Sequence, residues 1–266
     1  MLIAQITDLH ILPPGQMFFG HVDTAACLSR AIARLKALDP KPDLVVATGD
    51  LVNDGAAEEY AHLRRLLAPL DLPLYLLPGN HDARGPMAEA FADRAYLPRN
   101  GEFLHYTVED WPLRLIALDT IEPGEPGGRL CGERRAWLAA RLAEQPGRPT
   151  LIMTHHPPFS TGINHMDGMA LAEPEFLAEA VQRHGHVVRV ISGHVHRSIQ
   201  APFGGTIATT APSTAHQVML DLTAEGEARY TLEPPGFQLH LWRPETGLVT
   251  HTAPVDEFPG PYRFRD

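Results

Sequence analysis

Cysteine is almost missing from this chain. Cys27 and Cys131 are the only two in 266 residues, they stand in unlike contexts, and no Cys-x-x-Cys occurs. That excludes a disulfide framework and a thiolate metal site, so other ligand types must hold any metal. Basic clusters are lacking too. The 22 Lys and Arg face 32 Asp and Glu, a net charge of −10 with no Lys/Arg-rich run. Neither a nucleic-acid polymer nor an anionic membrane has broad electrostatic purchase on such a chain, and an anionic substrate needs a local positive site. No apolar run approaches the roughly 20 residues of a membrane span. The opening MLIAQITD lacks the basic, apolar and small-residue succession of a secretory signal, so a cytoplasmic location is expected.

What remains is an ordinary globular composition, 44% hydrophobic and 20% charged, which argues against disorder. A chain of this length buries a sizeable core in one large domain, or in one domain with a small appendage. Short apolar runs alternate with amphipathic segments. LIAQIT (2–7), DLVVAT (43–48), PLYLLP (73–78), LRLIAL (113–118), TLIMT (150–154) and VVRVIS (187–192) read as buried strands. Between them, 22–38, 56–69, 84–93, 131–144 and 173–184 carry helical spacing; Ala31, Leu35 and Leu38, for instance, share one face. The alternation predicts an α/β layered fold. After residue 200 the texture changes to short extended pieces, GGTIATT, HQVMLDL, ARYTLE, FQLHLW and GLVTHT. They predict closing β-strands and a small C-terminal subdomain over 201–266, after a core over 1–200. The tail FPGPYRFRD is Pro- and aromatic-rich and suited to covering an edge or meeting another subunit.

The chemistry gathers where the strands stop. Asp8 and His10 follow the first, Asp50 and Asn53 the second, Asn80 and His81 the third, His155 and His156 a later one, and VISGHVH supplies His194 and His196. In an open α/β sheet, ligands bind outside the carboxyl ends of the strands. Five strand ends therefore deliver Asp, Asn and His to one rim. Oxygen and imidazole ligands without thiolate suit first-row divalent metals, Fe, Mn, Co or Zn.

These pieces, DLH (8–10), GD (49–50), GNHD (79–82), HH (155–156) and GHVH (193–196), resemble the motif set of the calcineurin-like metallophosphoesterases, with no motif missing. VNDGAAEEY, LPLYLLPGNHD, HHPP and STAHQV resemble more closely the bacterial glycerophosphodiesterase and class III cyclic-nucleotide phosphodiesterase branch. The resemblance implies a four-layer αββα sandwich and two divalent metal ions. Asp8, His10, Asp50 and His196 would hold one; Asp50, Asn80, His155 and His194 would hold the other, with Asp50 as the bridge. It implies hydrolysis of a small phosphodiester by a hydroxide held between the metals. His81 would stand beside the phosphate as hydrogen-bond donor or leaving-group acid, or else support Asp8. Catalysis would thus rest on Asp50, Asn80 and His81, and substrate contact on Asn80, His81 and His216. His156 would be packed or capped. Phe18, Phe19, His21, Asn53, Asn164, His165 and Met166 fall on loops that would rim the pocket. A homodimer or higher oligomer is expected, since family relatives assemble through the C-terminal subdomain.

The reading GDLVNDG places Asp54 where the family's protein phosphatases carry an arginine that clamps a phosphate dianion. A negative residue there predicts a preference for diesters over monoesters. A metal-dependent phosphomonoesterase and a non-catalytic scaffold of the same fold are the alternatives.

Overall fold

Each apolar run expected to be a buried strand is one in the computed structural model, which describes residues 1–99 and 102–265. In chain order the first part runs β1 (Leu2–Ile6), α1 (Thr24–Lys36), β2 (Leu44–Thr48), α2 (Ala57–Leu67), β3 (Leu74–Leu77), α3 (Arg84–Ala90), β4 (Tyr106–Val108), β5 (Arg114–Ala117), α4 (Gly132–Glu144) and β6 (Thr150–Met153). The rest runs α5 (Asn164–Asp167), α6 (Glu175–Arg183), β7 (Val187–Ser192), β8 (Ile199–Phe203), β9 (Thr206–Thr210), β10 (Gln217–Val218), β11 (Tyr230–Thr231), β12 (Gly236–Arg243) and β13 (Gly247–Pro254). All five helical segments read from periodicity are present. β4, β8 and α5 are too short or too exposed to show a period, and HQVMLDL is a strand only at its start, in β10. Asp266, the last residue of the aromatic tail, lies outside the described residues.

Two large sheets form, in the orders β13-β12-β1-β2-β3 and β4-β5-β6-β7-β9-β8, and β10 pairs with β11 as a separate two-stranded ribbon. β1, β2 and β3 run parallel, as do β5, β6, β7 and β9. β12 lies antiparallel to β1, with Leu2 opposite Leu241. Alternation within the second sheet sets the layer order. Leu115, Ala117, Leu151 and Met153 point into the core that also holds the first sheet, α1 and α2. Their neighbours Ile116 and Ile152 point the other way, onto Leu138 and Leu142 of α4 and Leu177 of α6. Both faces of each sheet are therefore covered, in the four-layer αββα order, and each fully buried Leu or Ile contributes roughly 1.5–3 kcal/mol.

A polar thread crosses the layers. Gln5 Nε2 donates to Thr48 Oγ1 at 2.9 Å and to Ser192 O at 2.9 Å. His240 Nε2 donates to Gln5 Oε1 at 3.0 Å, and its Nδ1 accepts from Thr250 Oγ1 at 2.9 Å. Burial, helped by the Arg189 guanidinium, pushes His240 down to about 3. The unfolded chain binds a proton there below about 6.5. Between those values this ring lowers stability by about 1.4 kcal/mol for each unit that the pH drops. Urea unfolding at pH 7 and pH 5 is expected to show a loss of about 2 kcal/mol more in the parent than in His240→Gln. Equal losses in the two proteins would remove His240 from the acid response.

Candidate metal centre and its pocket

The parallel strands β1, β2, β3, β6 and β7 all end on one rim, and each turns abruptly there. The turns are tied to one another: Asp8 N donates to Gly49 O at 3.0 Å, Leu9 N and His10 N donate to Asp50 O at 2.8 and 3.0 Å, and Gly193 N donates to His155 O at 3.0 Å. Five side-chain-bearing residues take left-handed φ values here, namely Asp8 at 52°, His10 at 44°, Asp50 at 48°, His194 at 70° and His196 at 52°. Each costs about 1–3 kcal/mol, and such strain persists where the surroundings hold a functional geometry. Two glycines let the turns close. A Cβ on Gly79 would sit 2.3 Å from Asp50 N and Oδ1, and one on Gly193 would sit 2.0 Å from Thr7 Oγ1.

The structure brings all seven residues named as metal ligands together at this rim, Asn80 half-buried and the other six buried, and the metal-type groups fall into two sets. Ligand atoms of Asp8, His10, Asp50 and His196 lie within 4.8 Å of one another, as do those of His155, His156 and His194. Asp50 joins the two sets. Its Oδ2 is 3.7 Å from His10 Nε2 and its Oδ1 is 3.4 Å from His155 Nε2. Asn80 Oδ1 lies 3.0 Å from the same His155 nitrogen. The rear nitrogens are committed: His155 Nδ1 donates to Thr48 O at 2.9 Å and His196 Nδ1 donates to His216 O at 3.0 Å. Those bonds turn the Nε2 edge of each ring inward, the orientation metal-binding imidazoles use.

Electrostatics and hydrogen bonding both leave room for cations. Burial pushes His10 and His194 down to about 3, so both are neutral donors. For His155 burial is outweighed by the Asp50 carboxylate, which holds the ring up at about 9. The same pairing outweighs burial for Asp50 and keeps its carboxyl well below the usual range. His10 Nε2 and His196 Nε2 face each other at 3.2 Å. His194 Nε2 is buried without a hydrogen-bond partner among the described residues, and the Nε2 atoms of His10, His155 and His196 face the Asp50 and Asp8 carboxylates. A buried imidazole and carboxylate set of this kind is satisfied by a divalent ion, and an oxygen and imidazole set without sulfur fits a first-row metal. Mn²⁺ at a hundred times its dissociation constant is then expected to add about 2.7 kcal/mol of stability, roughly 5–10 °C in Tm. Thermal unfolding that no millimolar Mn²⁺, Fe²⁺, Co²⁺ or Zn²⁺ shifts would argue against the site.

The other named residues divide. His81 N donates to Asp50 Oδ1 at 2.9 Å and its Nδ1 donates to Asn53 O at 2.7 Å, leaving Nε2 for the cavity. It does not bond Asp8, so support of Asp8 is not its role. His156 is fully buried; its Nε2 donates to Pro126 O at 3.2 Å and its Nδ1 accepts from Thr120 Oγ1 at 2.8 Å, which leaves no free nitrogen. His216 stacks on Phe18 at 4.3 Å, and burial followed by neighbouring His196 pushes it down to about 2. A cavity of about 600 Å³ opens on the cluster. Phe18, Phe19, Asn53, His165 and Met166 line it, whereas His21, Asn164 and Asp54 are not part of the lining.

Sequence reasoning passed over Asp82 and Tyr60. The buried Asp82 carboxyl accepts from Gly79 N at 2.8 Å, Leu51 N at 3.0 Å, Val52 N at 3.4 Å and Tyr60 Oη at 2.9 Å. It thereby clips the loop after β2 to the loop after β3. The available signal was an acid closing GNHD, beside a tyrosine on the inner face of α2.

Comparison with known proteins agrees with this geometry. The profile of the calcineurin-like phosphoesterases matches residues 1–198. The chain is 38% identical over 265 residues to the "Probable glycerophosphodiester phosphodiesterase GpdQ" of Arcobacter nitrofigilis, covering 99% of this chain and 97% of that one. It is 36% identical over 241 residues to a "Probable cyclic nucleotide phosphodiesterase" of Rhodopseudomonas palustris, covering 89% and 86%. The fold is shared with purple acid phosphatase from yellow lupin, Lupinus luteus, at a TM-score of 0.70 and 15% identity, over 96% of this chain and 51% of that one. With clustered metal-type side chains at the strand ends and a family match over most of its length, the chain belongs to the calcineurin-like phosphoesterases and is a metal-dependent hydrolase.

Proposed function

We propose that the protein hydrolyses small phosphodiesters, glycerophosphodiesters or 3′,5′-cyclic nucleotides, with Asp8, His10, Asp50 and His196 holding one divalent ion and Asp50, Asn80, His155 and His194 the other. The observation that carries this reading is the buried cluster itself, in which Asp50 reaches both histidine sets and His194 Nε2 lacks a partner among the described residues. Fe, Mn, Co or Zn suits its donors. When bound, two such ions supply Lewis acidity, which activates water and offsets the charge growing on the phosphoryl oxygens.

The chain's own residues do the rest. Asp50 sets the spacing of the two halves, and Asn80 turns its amide oxygen toward His155. His81 is anchored through Nδ1 to Asn53 O. Its Nε2 can therefore carry the proton that the leaving alcohol needs. The diester preference rests on what surrounds the phosphate position. Among the described lining residues the one guanidinium is Arg229, and it pairs with Glu227 at 3.3 Å. No arginine is placed to clamp a dianion beside Asp50. Asp54 itself stands off the lining, its carboxylate accepting from the Asn53 amide. The names of the two sequence relatives support the same chemistry.

The test is hydrolysis of bis(p-nitrophenyl) phosphate against p-nitrophenyl phosphate by metal-stripped protein reloaded with Mn²⁺, Fe²⁺, Co²⁺ or Zn²⁺. Metal-dependent diester cleavage at least about tenfold faster, a difference of about 1.4 kcal/mol in barrier, is expected. Faster monoester cleavage would put the phosphatase reading first, and no activity with any metal would leave a scaffold. A homo-oligomer is proposed as well, supported by the exposed tail residues Phe258, Tyr262 and Phe264. A monomer mass by light scattering at micromolar concentration would count against it.

A further inference from the structure

The cavity has a second wall of different chemistry. Beside the histidine cluster stand Met17, Phe18, Phe19, Met166, Met169 and Tyr230. Asp50 is the only carboxylate among the described lining residues. The wall starts close to the metal-type residues: the Phe18 ring centre is 5.7 Å from that of His10 and 6.0 Å from that of Tyr230. The cavity of about 600 Å³ is in the range that buries most of a small organic molecule.

Phe19 is the residue that core packing leaves unexplained. It is 69% exposed, and its backbone is left-handed at φ 47°. A bulky side chain rarely adopts that conformation, and holding one there to display an apolar ring to water costs the fold twice. The surroundings enforce it. Tyr230 Oη donates to His21 Nε2 at 2.9 Å, and His21 Nδ1 donates to Phe19 O at 2.9 Å. The Phe19 and Tyr230 rings lie nearly parallel, 5.2 Å apart and inclined by 14°. This relay joins the loop after β1 to the start of β11, and it consumes the polar atoms of His21 and Tyr230. The face that remains is carbon and sulfur.

We propose that Phe19 and Tyr230 form a clasp that seats a flat aromatic alcohol of the diester, which makes them specificity-determining residues. The proposal rests on the phosphodiesterase reading above. A planar ring extends the stack and gains contact with the methionine sulfurs. A glycerol head group would bury hydroxyls against thioethers without partners. A quaternary ammonium is favoured where a carboxylate backs the ring faces. Here the one carboxylate among the described lining residues, Asp50, belongs to the histidine cluster, and the Arg229 guanidinium stands next to Tyr230 on the lining.

Two measurements test it. In saturation-transfer NMR on the metal-free protein, adenosine is expected to receive signal at its base protons while choline receives none at its methyls. In Phe19→Ala and Tyr230→Ala the adenosine signal is expected to fall severalfold. In kinetics on Mn²⁺-loaded protein, the kcat/KM ratio of 3′,5′-cAMP to glycerophosphocholine is expected to fall about tenfold in either variant. Choline binding equal to adenosine, or an unchanged ratio in both variants, would overturn the clasp. If adenosine binds and no diester is hydrolysed with any metal, the phosphodiesterase reading fails while the aromatic site stands as a plain binding site.

Discussion

Asp50→Asn is expected to lose on the order of 10³-fold in diester turnover, about 4 kcal/mol of transition-state stabilisation, and to retain at most one divalent ion per chain. Asparagine keeps the shape and can still accept the bond from His81 N. It removes the charge that faces both halves of the cluster, at 3.7 Å from His10 and 3.4 Å from His155. It also removes the group that outweighs burial at His155, so each imidazole set becomes a weaker, separate site. Elemental analysis of the purified variant and turnover of bis(p-nitrophenyl) phosphate check this together. A variant that holds two ions and turns over within about threefold of the parent, less than 1 kcal/mol, would show that Asp50 is not the bridge. His240→Gln serves as the control for a buried polar change far from the rim, and its turnover at pH 7 is expected to stay near that of the parent.

The parts of this protein legible from sequence are those written in short segments. DLH, GNHD and GHVH each occupy one turn after one strand, so their residue types and spacing carry the chemistry directly. The layered fold was legible because buried parallel strands read as unbroken apolar runs. Pairing between distant segments was not. Nothing in FQLHLW states that β12 lies beside β1, with Leu2 opposite Leu241. The left-handed turns at Asp8, His10 and Asp50 were equally hidden, since only glycine advertises such a backbone and these are not glycines. Asp54 shows what a motif position leaves out: in line with GD it stands where an arginine would clamp a dianion, but only the structure shows that its carboxylate accepts from the Asn53 amide and lies off the cavity lining. Asp82 escaped notice because four letters of motif say nothing of which backbone amides an acid will collect.

That collection makes Asp82→Ala the substitution with the largest expected effect on stability. Removing the carboxyl leaves the amides of Gly79, Leu51 and Val52 and the hydroxyl of Tyr60 without their acceptor in a buried place. Each unsatisfied donor costs about 1–3 kcal/mol, so a total loss of about 3 kcal/mol or more is expected, roughly 6–12 °C in Tm. Turnover should fall as well, because the two loops that carry Asp50 and Asn80 lose their clip. Asp82→Asn separates hydrogen bonding from charge. Its amide oxygen can accept from Gly79 and Leu51 while its NH₂ donates to Tyr60 Oη, which already accepts from Ala83 N at 2.9 Å, so only the long contact from Val52 N at 3.4 Å is lost. Burial, with the nearby Asp50 carboxylate, pushes Asp82 up to about 7, so the charge itself contributes little near neutral pH. Asp82→Asn should therefore stay within about 1 kcal/mol of the parent, a typical net hydrogen bond, in urea unfolding. If asparagine destabilises as much as alanine, the ionised carboxylate is what holds the two loops, and a charged rather than a hydrogen-bonded clip underlies the metal centre.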